Sequence, residues 1–145
     1  MKALIQRVSH AAVHVEGQQI AAINEGLVLF LGIEKKDDEA LGQQLLEKVL
    51  HYRVFEDDLG KMNRSLIEIQ GELLIVSQFT LVANTQKGRR PSFSEAASPE
   101  LGKYLYDRFV LAAENKNISV ATGVFGADMK VSILNNGPVT FWLAV

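Results

Sequence analysis

Apolar and polar positions alternate along residues 2–15, a stretch also rich in β-branched side chains, and this period of two predicts one or two strands. Gly17-Gln18 predicts a hairpin turn, with residues 19–23 as the returning strand. Residues 26–33 form a continuous apolar run, the pattern of a buried strand. The period then changes. Ala40, Leu41, Leu45, Val49 and Tyr52 recur at helical spacings with charges between them, which predicts an amphipathic helix over residues 37–52 with acidic residues in its first turn. A loop is expected at residues 56–63. Residues 66–69 and 72–81 read as a hairpin turning at Gln70-Gly71. Residues 84–97 are polar and contain Gly and Pro, a loop of functional length. Ser98-Pro99-Glu100 opens a second helix, because serine suits the N-cap and proline the first turn, and Leu101, Tyr104, Leu105, Arg108 and Ala112 mark one of its faces. Strands are expected at residues 118–122, 130–134 and 139–145. Strands with two helices interspersed imply a single α/β or α+β domain spanning residues 1–145.

Composition narrows the function classes. A chain of 145 residues with 48% hydrophobic content can bury one core and gives no case for disorder. The longest apolar run is too short to span a bilayer. Gln6 and Arg7 interrupt the opening apolar stretch and no small-residue cleavage site follows, so a secretion signal is not expected. Cysteine is absent, which removes disulfides, thiol nucleophiles and thiolate metal sites. The expectation is a cytoplasmic protein with no membrane partner. Its formal net charge is −2. Coating a nucleic acid requires neutralising many phosphates, so any RNA contact is expected at a short end or a single nucleotide, and no DNA partner is expected.

Chemically capable residues are few. His10 and His14 are four apart, a metal pair on a helix, but on a strand they lie roughly 13 Å apart, too far to share an ion. No metal site is expected. A Ser-His-Asp triad lacks a nucleophile elbow, and His51 falls in the first helix. Gly123-Val124-Phe125-Gly126 is too sparse for a phosphate loop and reads as a bend. Alternation along residues 73–81 places Leu73, Ile75, Ser77 and Phe79 on one face and Leu74, Val76, Gln78 and Thr80 on the other. An apolar run that turns polar at its end is a strand leaving the core for a pocket, or a strand end whose hydroxyls bond neighbouring backbone.

Two segments carry a resemblance. Ser77-Gln78-Phe79-Thr80-Leu81 and Asn135-Asn136-Gly137-Pro138-Val139-Thr140, at this separation and in a chain of this length, resemble the two signature motifs of the D-aminoacyl-tRNA deacylases. The likeness runs from Met1-Lys2-Ala3-Leu4-Ile5-Gln6-Arg7-Val8 to the C-terminus. It implies a β-barrel-like sheet with two helices packed outside, assembled as a homodimer whose active site is shared between subunits. It implies hydrolysis of the ester of D-aminoacyl-tRNA, and of glycine mischarged on other tRNAs, with no metal or organic cofactor. Ser77, Gln78, Phe79 and Thr80 would line the reaction centre, with the N–H groups of Phe79 and Thr80 as an oxyanion hole and the substrate's own ribose hydroxyl activating water. Thr80 is then not a covalent nucleophile. Gly137 and Pro138, joined by a cis bond, would enter the partner's site and exclude L side chains with their carbonyls. Arg7 matches a residue that holds that loop, and Phe125 and Met129 match pocket-lining positions. Lys87, Arg89 and Arg90 lie in a basic loop that either contacts the tRNA 3′ end or is a solvated turn. Two rivals remain: a relative of relaxed chirality, and a non-catalytic dimeric module that binds RNA or a small ligand.

Overall fold

The computed structural model describes residues 1–86 and 88–145. Its framework is a six-stranded sheet curled into a nearly closed barrel, with two helices on the outside. The first strand, β1 (Lys2–Val15), organises the sheet by pairing with three others. One edge pairs with β2 (Gln18–Ile23) and β3 (Gly26–Gly32) in succession; the other pairs along its length with β8 (Met129–Ala144). All three pairings are antiparallel.

Beyond β3 the topology changes. Helix α1 (Glu39–His51) carries the chain back, so that β6 (Glu72–Ser77) runs parallel to β3. Helix α2 (Pro99–Glu114) does the same for β7 (Ser119–Thr122), parallel to β6. Parallel neighbours require such crossovers, and the helices then cover one sheet face. Consequently β3 and β6 are buried on both sides. Leu27, Leu29, Leu31, Leu73 and Ile75 join the helices in one core, while Val28, Leu74 and Val76 join Val8, Val13 and Ile23 in a second core inside the barrel. This is why both strands read as continuous apolar runs. Their contact is close: a Cβ on Gly26 would lie 1.9 Å from the Glu72 carbonyl oxygen, so only glycine fits.

Helix α2 starts where expected, and α1 starts two residues later than expected. Asp38 caps α1 by accepting from the Leu41 N–H at 2.9 Å, and Ser98 caps α2 by accepting from the Leu101 N–H at 3.3 Å. The buried face of α2 is Gly102, Leu105, Tyr106, Phe109 and Ala113, rotated from the expected stripe. Tyr104 and Arg108 instead bond the Glu39 carboxylate on α1, an exposed polar clasp between the helices.

Three expectations change. Residues 66–69 are a turn, not a strand: Ser65 and Glu68 cap each other, with Glu68 Oε2 accepting the Ser65 N–H at 2.6 Å. The expected loop at 56–63 contains a short hairpin, β4 (Phe55–Glu56) with β5 (Met62–Arg64), closed around Asp57. The last two expected strands are one, β8, interrupted midway.

Candidate active site

Strand β6 ends at Ser77. The Gln78 N–H still donates to the Leu31 carbonyl at 2.8 Å, after which residues Phe79–Val82 wind into a 3₁₀ turn. The alternation expected through Thr80 therefore stops three residues early, at Ser77, because β3 ends at Gly32 and offers no further partner. The turn closes with Leu81 N–H to the Gln78 carbonyl and Ala83 N–H to the Thr80 carbonyl, both at 3.2 Å. Phe79 and Thr80 are its first residues, so their N–H groups have no acceptor within the turn, and neither donates to another group among the described residues. The Gln78 side-chain amide donates to the Thr80 hydroxyl.

Ser77, Gln78 and Phe79 line a cleft of about 590 Å³. Opposite them stand Phe125 and Met129, and the floor includes Leu31, Val76 and Val131. The start of α2 supplies a further wall of small residues, Ala97, Ser98, Pro99 and Gly102. Sequence reasoning missed this wall, since short side chains at a helix start carry no chemical signal of their own. Phe125 is braced by Tyr106, ring centroids 5.7 Å apart, and the Tyr106 hydroxyl donates to the Ile75 carbonyl at 3.0 Å. Burial holds that phenol protonated, well above the usual tyrosine value. Among the described residues Asp128 is the only ionisable side chain lining the cleft; it is exposed and pairs with Lys130 Nζ at 2.8 and 2.9 Å. The cleft thus combines apolar walls with the free Phe79 N–H and a single exposed carboxylate among the described residues.

Gly137 and Pro138 do not line this cleft. In the β1–β8 ladder Gln6 faces Thr140 and Val8 faces Asn135, so residues 136–139 are extruded opposite Arg7 alone. The Gly137-Pro138 peptide is cis. Arg7, 7% exposed, donates from Nε to the Asn136 carbonyl at 3.0 Å and from Nη1 to the Val54 carbonyl at 2.7 Å. Asn135 Oδ1 accepts the Val139 N–H at 3.0 Å and pins the far side of the loop. The loop is thereby presented rigidly and outward, with Gly137 and Pro138 both exposed.

Arg89 and Arg90 are exposed on the segment clipped by paired Asn84–Ser92 backbone bonds of 2.8 and 3.1 Å. Lys87 lies outside the described residues. Phe93, which follows, packs against Phe79, ring centroids 5.0 Å apart. His10 and His14 sit on β1, and His51 sits on α1 with Nδ1 3.0 Å from the Glu47 carbonyl oxygen, away from the cleft. Among the described residues no three His, Asp or Glu side chains converge as metal ligands.

Comparison with known proteins places this arrangement. A curated protein of Saccharophagus degradans named D-aminoacyl-tRNA deacylase is 59% identical over 145 residues, covering 100% of both chains. Its namesake from Pseudoalteromonas translucida is 55% identical over the same span. Among solved structures, one described as c-Myc DNA Unwinding Element Binding Protein superposes with a TM-score of 0.94 at 40% identity, covering 100% of this chain and 99% of that one. A structure of a probable eukaryotic D-amino acid tRNA deacylase shares the fold, with a TM-score of 0.86 at 17% identity over 99% of this chain and 98% of that one. The family model for D-Tyr-tRNA(Tyr) deacylase matches residues 4–144, so the chain belongs to that family.

Proposed function

We propose that the Phe79–Thr80 turn is where this D-aminoacyl-tRNA deacylase, a hydrolase, holds the ester of its substrate. The observation that carries the reading is a pair of adjacent, unengaged N–H groups, one on Phe79, which lines the cleft, and one on Thr80, which follows it in the turn and is not itself a lining residue. The ester carbonyl oxygen accepts from both. As water adds to the carbonyl carbon, negative charge grows on that oxygen and the two donors hold it more tightly than in the ground state. The carbon–oxygen bond to the ribose then breaks, the ribose oxygen takes up the proton from the added water, and the D-amino acid leaves. Donors of this kind are worth about 10²–10³ in rate each. An aminoacyl ester is already activated, so positioning and electrostatics supply much of the remaining barrier reduction. Among the described residues Asp128 is the one ionisable side chain that lines the cleft, which supports activation of water by the substrate's own ribose hydroxyl.

The Thr80 hydroxyl accepts from the Gln78 amide and, among the described residues, bonds no imidazole or carboxylate. It is not a nucleophile in this account. Thr80→Ala should keep measurable turnover, and mass spectrometry of quenched reactions should find no acyl-enzyme. An acyl group on Thr80, or complete loss of turnover in a folded variant, would overturn this step.

Chirality is set in the same reading by the Gly137-Pro138 loop of a second copy. Its carbonyls accept from the substrate α-amino group and fill the space an L side chain needs, while a D side chain points away. Glycine, with nothing to clash, is cleaved as well. The loop's rigid exposure, and its absence from the cleft of its own chain, support a site completed by a partner. Mixing an inactive cleft variant (Thr80→Pro) with an inactive loop variant (Gly137→Val) tests this. Random pairing should restore about a quarter of wild-type activity, because half the dimers regain one intact site of two. Mixed dimers that form yet stay inactive would contradict it.

Arg89 and Arg90 are assigned to phosphates of the tRNA 3′ end, in a cytoplasmic setting. Duplex DNA is a poor fit for a chain of formal net charge −2.

A further inference from the structure

Phe79 does two things at once. Its backbone belongs to the reaction turn, yet its side chain is 62% exposed. Phe93, 37% exposed, leans against it at an interplanar angle of 49°. Phe79 lines the cleft and Phe93 does not, so the pair steps outward from the cleft wall. The segment that delivers Phe93 carries Arg89 and Arg90 a few residues earlier, both exposed. Its base is held in place: Lys35 N–H donates to the Glu95 carbonyl at 2.9 Å, Lys35 Nζ meets Glu95 Oε1 at 3.0 Å, and Ala97 N–H donates to the Ile33 carbonyl at 3.0 Å.

The geometry points to a second nucleotide subsite: Phe93, with Phe79 behind it, is a stacking platform for the unpaired base that precedes the aminoacylated nucleotide. This rests on the reading of the cleft as the ester site. A strand whose last nucleotide enters the cleft and leaves past Phe79 meets Phe93, which is in contact with Phe79. An unpaired base has an apolar face that stacks on aromatic rings whatever its identity, while its phosphate needs a cation nearby. Both requirements are met within one short segment. The combination fits a single-stranded 3′ end that is shared by all tRNAs, because stacking does not read sequence.

The test compares two substrates on Phe93→Ala and Phe93→Trp: D-tyrosyl-tRNA, and D-tyrosyl-adenosine, which ends before the platform. For D-tyrosyl-tRNA, Phe93→Ala should raise KM about tenfold with little change in kcat, a loss in keeping with one stacked base. For D-tyrosyl-adenosine, KM should stay within about twofold of wild type, since no base reaches the platform. Phe93→Trp should restore the tRNA value. Equal effects on both substrates, no effect on the tRNA, or a changed oligomer mass in Phe93→Ala (the pair then being covered by a second copy) would overturn the proposal. Failure of wild type to cleave D-tyrosyl-adenosine and D-tyrosyl-tRNA alike would instead overturn the ester-site reading beneath it.

Discussion

Arg7 shows how one residue links fold and site. A guanidinium withdrawn from water is costly unless its donors are used, and here they meet two carbonyls, on Asn136 and Val54. Glu56, 3.9 Å away and 61% exposed, adds little. Each charged hydrogen bond contributes about 1.5–3 kcal/mol, so Arg7→Ala should lower stability by about 3 kcal/mol in urea denaturation. It should also depress kcat/KM by loosening the loop. Arg7→Lys should rescue little, since one ammonium cannot span both acceptors as a planar fork does. Gly137 is equally constrained. Its φ of +135° suits glycine, and an added Cβ would lie 2.7 Å from a Val139 methyl. Nothing in the sequence alone distinguished Arg7 from a surface arginine; only pairing β1 with β8 puts it behind the loop.

Glu39 carries a pH prediction at the same scale. The Tyr104 hydroxyl and then Arg108 hold its carboxyl below the ordinary value of 4.5. A carboxylate with a depressed folded pKa stabilises fully above its unfolded value and loses that contribution as pH falls through the folded one. The helix clasp should therefore weaken below about pH 4.5. The urea midpoint of wild type should fall more steeply in that window than that of Glu39→Gln. Identical slopes would show that the clasp contributes nothing.

At the scale of elements, local chemistry was readable and pairing was not. The N-cap Ser98 stands where its sequence signal put it, while Asp38, which caps α1, was expected inside the helix; Asp38→Ala and Ser98→Ala should each cost about 1 kcal/mol, seen as a lowered Tm. The β3 and β6 runs were legible because burial on both faces leaves no polar position to interrupt them. Residues 66–69 misled for the opposite reason. Leu66, Ile67 and Ile69 suit a strand, but the Ser65–Glu68 capping pair wins the backbone and winds a turn. The α2 face was offset because Tyr104, apolar in bulk, spends its hydroxyl on Glu39 at the surface. β8 looked like two strands since residues 136–139 break its alternation, yet β1 continues past the break and pairs on both sides of it. The motif at Ser77 to Thr80 was visible as residues. Its 3₁₀ turn was not, because that turn depends on where the neighbouring β3 stops.

Across the whole molecule, the parallel units built by α1 and α2 place the ends of β3, β6 and β7 together, and the cleft opens there beside the start of α2. A crevice at the carboxyl ends of parallel strands is a common place for a ligand. Charge sets a limit on how RNA is held. With a formal net charge of −2, binding should depend on a few cations rather than a broad basic face. Arg89→Ala with Arg90→Ala should weaken tRNA binding and flatten its dependence on salt, each phosphate contact contributing about 0.7 to the logarithmic slope for a single strand. Unchanged binding and slope would leave those arginines a solvated turn.

In the proposed reaction, amide donors at Phe79 and Thr80 act on an ester whose chirality is checked by backbone bulk. The most direct test is the rate of hydrolysis of D-tyrosyl-, glycyl- and L-tyrosyl-tRNA by the purified protein. The first two esters should be lost fast and the third spared. Equal cleavage of the D and L esters would contradict the exclusion mechanism, and no cleavage of any would contradict the assignment of the cleft.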